Sequence, residues 1–239
     1  KIKDNQGSIQ DRVGCLFFII TNTAFSQFSA LALFLEERNV FNRERASGMY
    51  GTTAYFFAKN VLDLTWVVIF PVVFAAIAYY MIGLQPSVEK FGIFLAILEM
   101  FTLVATSIFL TIGSLSPNLK SAQIITPISL VLLLLFGGFY LTNDNVPIYY
   151  RWLHVISPFR YAYEALMYNE FVGLKFAPDL DANGTIIIDN YIPTGEAQLA
   201  RMGMADINIG THLAILAGSV VVLRIFAFIG LCTLYKEKR

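Results

Sequence analysis

The chain has 239 residues, of which 56% are hydrophobic and 14% charged; soluble domains run nearer 45–50% and about 25%. Lysine plus arginine balance aspartate plus glutamate at 17 each, so the formal net charge is zero. These figures argue against nucleic-acid binding, which needs a basic stripe or a zinc or RNA-binding motif, and they favour a chain immersed in lipid.

The polar start, Lys1 to Asp11, has neither the apolar core nor the cleavage site of a signal peptide, and there is no initiator Met, so the chain is expected to begin inside a longer parent. The first long apolar stretch is Val13–Leu35, softened by Thr21, Asn22, Thr23, Ser26 and Gln27. A charged break follows, Glu36–Tyr50. Its alternating charges suit a short amphipathic helix, and its anchors Val40 and Phe41 suit docking to a soluble partner better than a plain solvated connector. The second stretch, Thr53–Ile82, is long for a span of about 20 residues, which implies tilt or an amphipathic lead-in. The third is Phe91–Leu115 and the fourth Gln123–Leu141. The long break 142–211 reads as one extracellular loop, and the fifth stretch is His212–Leu234. Val67–Met81 and Ile124–Tyr140 offer almost no polar face, so burial in a water-soluble core does not explain them. In hydrocarbon the backbone must satisfy itself, which makes these spans helices. The expected fold is all-α and integral to the membrane, with about five transmembrane helices and short re-entrant or interfacial helices in the last extracellular loop.

Orientation follows from the short loops. With five spans, Arg38, Arg43, Arg45, Lys120, Lys236, Lys238 and Arg239 share one side, and Lys1, Lys3, Arg12 and Lys90 the other. The excess marks the first side as cytoplasmic. The sequon Asn183-Gly184-Thr185 then falls outside, which makes Asn183 a candidate glycosylation site. This reading puts the N-terminus outside and the C-terminus inside, in the plasma membrane or an organelle membrane.

Polar residues within the spans need a reason. Lys59 and Asp63 lie four apart and share a helix face, as a self-neutralising pair or a partner contact. Glu99 is deep in the third span, where a carboxylate is costly; a structural hydrogen bond is expected before a transport role. Arg224 stands midway along the last span, free to snorkel or to pair with a carboxylate. Pro71 and Pro127 bend their helices, and Gly137-Gly138 closes the fourth span. Aromatic residues crowd Pro147–Leu174, which reads as two short helices at the outer leaflet. Ser157-Pro158 starts the second of them, and Arg160 and Glu164 are four apart on it. His154 reads as an interfacial polar residue. Cys15 and Cys232 fall at opposite membrane faces, too far apart to bridge, and read as buried small apolar side chains. No phosphate-cradling loop, catalytic constellation or metal-ligand set is visible, so neither catalysis nor a metal site is expected of this chain.

Several segments together resemble the membrane domain of the subfamily G ABC transporters, the white-pigment and breast-cancer-resistance type of half-transporter. They are Arg12-Val-Gly-Cys-Leu-Phe-Phe18, Glu37-Arg-Asn-Val-Phe-Asn-Arg-Glu-Arg-Ala-Ser-Gly-Met-Tyr50, Ala54-Tyr-Phe-Phe-Ala-Lys59 with Asp63, Phe136-Gly-Gly-Phe139, Ser157-Pro-Phe-Arg-Tyr161, Glu164-Ala-Leu166, Asn169-Glu-Phe171 and Leu223-Arg224. The resemblance implies a six-helix exporter domain placed after a nucleotide-binding domain. The five stretches here would be the second to sixth helices. The first helix and the ATPase domain, which would bind ATP and Mg, would lie outside this sequence. It further implies that Thr21, Asn22, Phe25, Ile124, Val131 and Leu134 line a substrate cavity, and that Phe139 and Tyr140 plug its exit. Glu37, Arg38, Arg43, Glu44 and Arg45 would meet the nucleotide-binding domain. The implied partners are a second half-transporter, in a homodimer or heterodimer, and membrane lipids. The implied function is ATP-driven export of lipid, sterol or amphipathic small molecules. The rival reading is a truncated, non-transporting scaffold that dimerises with a complete transporter; a channel would need a more polar lining.

Overall fold

A computed structural model describes residues 7–140, 148–177 and 192–233. Helix α1 (Gly7–Ser26) and helix α2 (Phe28–Ala46) follow one another with only Gln27 between them. There the ladder tightens, Gln27 N–H donating to the Ala24 carbonyl three residues back at 3.3 Å. The two helices cover 40 residues, about 60 Å of rise and twice the hydrocarbon thickness. The charged stretch from Glu36 is therefore a continuation of the helix rather than a break from it. Its Glu, Arg and Ala are good helix formers, and no Gly or Pro intervenes before Gly48.

Helix α3 (Thr52–Ile82) ends at Gly83, whose φ of 83° and N–H bond to the Tyr79 carbonyl close the last turn in a left-handed cap. Helix α4 runs Val88–Leu115. Helix α5 (Leu119–Leu135) begins four residues before the apolar stretch does, because the Asn118 side chain caps it by accepting from Ser121 N–H at 2.9 Å. It ends well before Leu141, where Gly137 and Gly138 turn the chain back. At 17 residues it is at the short limit for a span. Four helical segments are long and apolar enough to cross a membrane, and α5 is a shorter apolar helix beside them. Each of the five expected stretches holds a helix, the one in the fourth being short.

A 3₁₀ turn (Ile148–Tyr150) leads into the short helix α6 (Arg151–Ile156) and then α7 (Pro158–Phe171). Ser157 precedes Pro158 as expected, but its hydroxyl does not cap α7; it donates to the Leu133 carbonyl of α5 at 2.7 Å. Helix α8 (Gly195–Arg201) and the last span α9 (Ile209–Thr233) complete the chain. Among the described residues the one β-type pairing is an isolated bridge between Lys175 and Thr194.

Helix α4 is the centre. It packs most extensively on α9 and also on α3, α7, α2, α1 and α5. Phe94, Ile97, Leu98, Phe101, Val104 and Phe109 are buried on its several faces. Helices α3 and α9 keep large apolar side chains outward, among them Phe57, Trp66, Val73, Val221 and Phe226, as lipid-facing spans do. Lipid removes the hydrophobic drive for helix association, so close contact at small residues matters more. Gly230 of α9 is such a point: a Cβ there would lie 2.9 Å from Ser114 Oγ and 3.2 Å from a Leu115 methyl. Gly218, on the same helix, has nothing within 4 Å. Gly230→Leu should destabilise the domain by about 1–3 kcal/mol, read as a lower melting temperature in detergent, whereas Gly218→Ala should leave it unchanged.

Candidate functional site

Two stripes of side chains are left uncovered by the chain itself. On α1 and α2, Phe18, Asn22, Phe25, Ser26, Ser29 and Leu33 are exposed at steps of three and four, so they form one face. On α5, Ile124, Ile125, Ile128, Val131, Leu132 and Leu135 are exposed with the same periodicity. Of the residues expected to line a cavity, Phe25 is 36% exposed, Ile124 64% and Val131 54%. Leu134 is half-buried against the core. Thr21 is also half-buried, its hydroxyl donating to the Phe17 carbonyl at 2.9 Å. Phe25, Ile124 and Val131 thus stand on open faces, and the chain alone does not enclose them.

The chain does shape a different space, open on one side, where Trp66 and Phe70 are 61% and 64% exposed. A cavity of about 630 Å³ lies between the α1–α2 junction, α3 and α4. Asn22, Ser26 and Gln27 line it from the junction, Trp66 and Phe70 from α3, and Phe109 from α4. Asn22 is the one expected cavity residue that reaches it, and sequence reading did not bring α3 into the site. The signal available was Trp66, Phe70 and Phe74 at four-residue spacing, which a lipid-facing stripe explains equally well.

Beyond one end of this cavity the charges converge. Lys59 Nζ bonds Glu37 at 2.6 Å and Asp63 at 3.0 Å, so the expected pair is a triad that ties α2 to α3. Arg38 is only 2% exposed. It does not face a soluble partner: its guanidinium donates to the carbonyls of Gly113 at 2.6 Å, Ser116 at 2.7 Å and Pro117 at 3.2 Å, which satisfies the end of α4. Arg45 donates to the Leu231 carbonyl of α9 at 3.2 Å. Glu44 accepts from the Tyr50 hydroxyl, and Arg43 is exposed. Arg224 neither snorkels nor meets a carboxylate. It donates to the Asn60 side chain of α3 and, at 3.3 Å, to the Ser107 hydroxyl of α4. Glu99 lacks the hydrogen bond expected of it; both carboxylate oxygens are buried with no hydrogen-bond partner among the described residues.

The opposite end is held by aromatic and ionic contacts. Phe17 stacks on Phe139 at 4.0 Å and meets Tyr140 edge-on at 5.4 Å, while Tyr163 closes the cluster from α7. Phe139 is half-buried and Tyr140 exposed. Arg12 of α1 and Glu170 of α7 form a fully buried ion pair, and the Gln85 N–H donates to Glu170 at 3.2 Å. Sequence reading did not single out Arg12 or Glu170 as a pair, because 158 residues separate them. Glu164 accepts from Arg160 at 2.8 Å, as their spacing implies, and also from His212 of α9 at 2.9 Å. Burial pushes the Glu164 carboxyl up, but the bonds from His212 and Arg160 outweigh it and hold the group below the ordinary glutamate range. His154 is buried rather than interfacial, and its Nδ1 donates to the Phe136 carbonyl at 2.9 Å. Burial lowers its pKa, which keeps the ring neutral at pH 7. Among the described residues no cluster of His, Cys, Asp and Glu could hold a metal. Cys15 and Cys232 are free and half-buried rather than fully buried. Asn183 and the basic residues after Thr233 lie outside the described residues.

A family model described as ABC-2 type transporter matches residues 1–171. The chain is similar to the broad substrate specificity ATP-binding cassette transporter ABCG2 of Bos taurus, 35% identical over 204 residues, covering 85% of this chain and 31% of that protein. It is also similar to ABC transporter G family member 7 of Arabidopsis thaliana, 33% identical over 211 residues, covering 88% of this chain and 28% of that protein. Protein white of Ceratitis capitata is 32% identical over 226 residues, covering 94% and 33% respectively. The chain spans about a third of the length of these relatives.

Arg38→Ala would strand three carbonyls at the end of α4, so a loss of about 2 kcal/mol or more is expected, measured as thermal unfolding in detergent. Arg38→Lys should recover only part of it, since an ammonium lacks the planar fork. The lowered Glu164 value makes a second prediction. Its stabilisation is complete above the ordinary glutamate pKa of about 4.3 and is lost as pH falls through the lower folded-state value. The melting temperature of the unmodified chain should drop on acidification below about pH 4 by more than that of Glu164→Gln; parallel profiles would remove the linkage.

Proposed function

The chain belongs to the ABC-2 type transporter family, in its G branch, and from that premise we propose that it is the membrane-spanning part of an ATP-driven exporter of lipid, sterol or amphipathic small molecules. The observation that carries this reading is the pair of uncovered faces, Phe18–Leu33 on α1 and α2 and Ile124–Leu135 on α5. A second half-transporter, identical or related, would cover them. The space left between the halves would be the substrate cavity, an apolar slot with Phe25 as a flat stacking surface and Asn22 and Thr21 as its few polar contacts. Phe139 and Tyr140, packed on Phe17, would form the exit.

ATP and Mg would bind a separate nucleotide-binding domain, which would engage the end of the bundle that holds residues 43–50. Arg43 and Glu44 would meet it. Arg38, Glu37 and Arg45 act one step further on: they fasten α2 to α4, α3 and α9 respectively. A push on the end of α2 would therefore reach three spans through buried or half-buried polar bonds. This end would be cytoplasmic. The α6–α8 end and the loop 142–211, with Asn183 as a glycosylation site, would be extracytoplasmic.

Phe25→Ala in the intact transporter should lower transport of flat apolar substrates roughly tenfold, the cost of about 1.4 kcal/mol of lost contact, while ATP binding persists. Vesicle uptake together with nucleotide binding checks this, and unchanged uptake would take Phe25 out of the site.

A further inference from the structure

We propose that the cavity between the α1–α2 junction, α3 and α4 is a second ligand site, contained within one protomer, for a neutral single-chain lipid with a hydroxyl or amide head. It shares Asn22 with the two-halves reading above, whereas Phe25, Ile124 and Val131, which belong to that reading alone, do not line it, so Phe25→Ala separates the two.

The volume, about 630 Å³, lies in the range of small-molecule pockets. Its length follows from α3, which lines it from Lys59 to Phe74; fifteen residues of helix rise about 22 Å, the scale of one extended chain and not of a compact solute. The wall is apolar where Trp66, Phe70 and Phe74 line it from α3, Trp66 stacked on Phe70, and Phe109 lines it from α4. Pro71 also lines it.

The polar part is local, and it coincides with the one irregularity in the 40-residue helix. Around Gln27 the ladder tightens, and Asn22, Ser26 and Gln27 all line the space. Ser26 donates to the Thr23 carbonyl at 2.8 Å and accepts from the Gln27 amide at 3.4 Å, which leaves one lone pair on its hydroxyl oxygen. Asn22 makes no hydrogen bond among the described residues. Asn22 is exposed on the open side of the slot, and its primary amide both donates and accepts, which a hydroxyl or amide head matches.

The charges at the far end define the neutral class. Lys59 and Asp63 line the cavity, but Lys59 is already bonded to both Asp63 and Glu37, and Arg224 of α9 is close enough to act on Asp63. Two acids and two bases cancel, so a charged head would find no uncompensated partner.

The test uses the intact transporter in lipid nanodiscs and a diazirine-bearing monoacylglycerol as probe. Photolabelling should fall on the peptide containing Trp66 to Phe74 and be competed by unlabelled monoacylglycerol. Ala30→Trp, which fills the cavity from α2, should abolish it. Asn22→Leu, which keeps the volume and removes the amide, should lower it about fivefold, the factor carried by one neutral hydrogen bond. Phe25→Ala should leave it unchanged. Melting temperatures within a few degrees of the parent show that each variant has folded. The proposal is overturned if no label reaches α3, if Ala30→Trp labels as well as the parent, or if diazirine-bearing phosphatidylserine labels the same peptide equally. It is also overturned if cysteine cross-linking at Ser26 captures another segment of the polypeptide, which would mean that protein fills the space.

Discussion

The fold depends on α4 being surrounded by its own chain. Hydrocarbon supplies no hydrophobic force to drive one span onto another, so a span stays central only through dense packing and bonds that lipid cannot offer. Helix α4 has both. Its aromatic and branched side chains are buried against six other helices. It is also pinned along its length: Asn169 donates to the Lys90 carbonyl at 3.0 Å, Thr111 to the Leu223 carbonyl at 2.9 Å, and Arg38 to the last carbonyls. The other spans each keep one side for α4 and leave another open, and those open sides are where a second half, a nucleotide-binding domain or lipid can act.

The two ends of the bundle are fastened differently. At the α7 end, Arg12, Glu170, Gln85 and Lys90 make a buried network across α1, α7 and the α3–α4 connection. Removing Arg12 or Glu170 would leave a buried charge unpaired, which is why such a network resists local opening. At the other end the bonds radiate from α2 alone, to α3, α4 and α9. Between these ends lie the irregular turn at Gln27 and the proline at Pro71, facing one another across the cavity. A helix fixed at one end and loaded at the other concentrates bending where its ladder is weakest.

Hydropathy located all five apolar stretches, because apolar runs of that length leave few alternatives. It misjudged ends wherever a local device decided them. Asn118 starts α5 early, the glycine turn stops it early, and Glu36–Ala46 stays helical because charge ends a hydrophobic run without ending a helix. The helical spacings Lys59–Asp63 and Arg160–Glu164 were legible, since a single helix sets those distances. The partners Glu37, His212 and Glu170 were not, because they come from other helices and no single sequence encodes which faces meet. Arg38 shows the limit most plainly: surrounded in sequence by solvated charges, it reads as a docking residue, and only the tertiary structure turns it inward.

That inward turn changes how a signal crosses the domain. An exposed arginine at an interface contributes little and is screened by salt. A buried one that satisfies three carbonyls at a helix terminus cannot release them without leaving all of them unpaired. So α2 and the end of α4 must move together or not at all. Arg224 adds the matching constraint at mid-span: it joins α9, α3 and α4 through Asn60 and Ser107, with Asp63 near enough to offset its charge. With α4 and α9 also joined at Thr111, these helices form one body. Between the two fastened ends, the stretches left to bend are the α1–α2 turn at Gln27 and α3 around Pro71, which adjoin the stripe with Phe25 and the aromatic wall of the cavity.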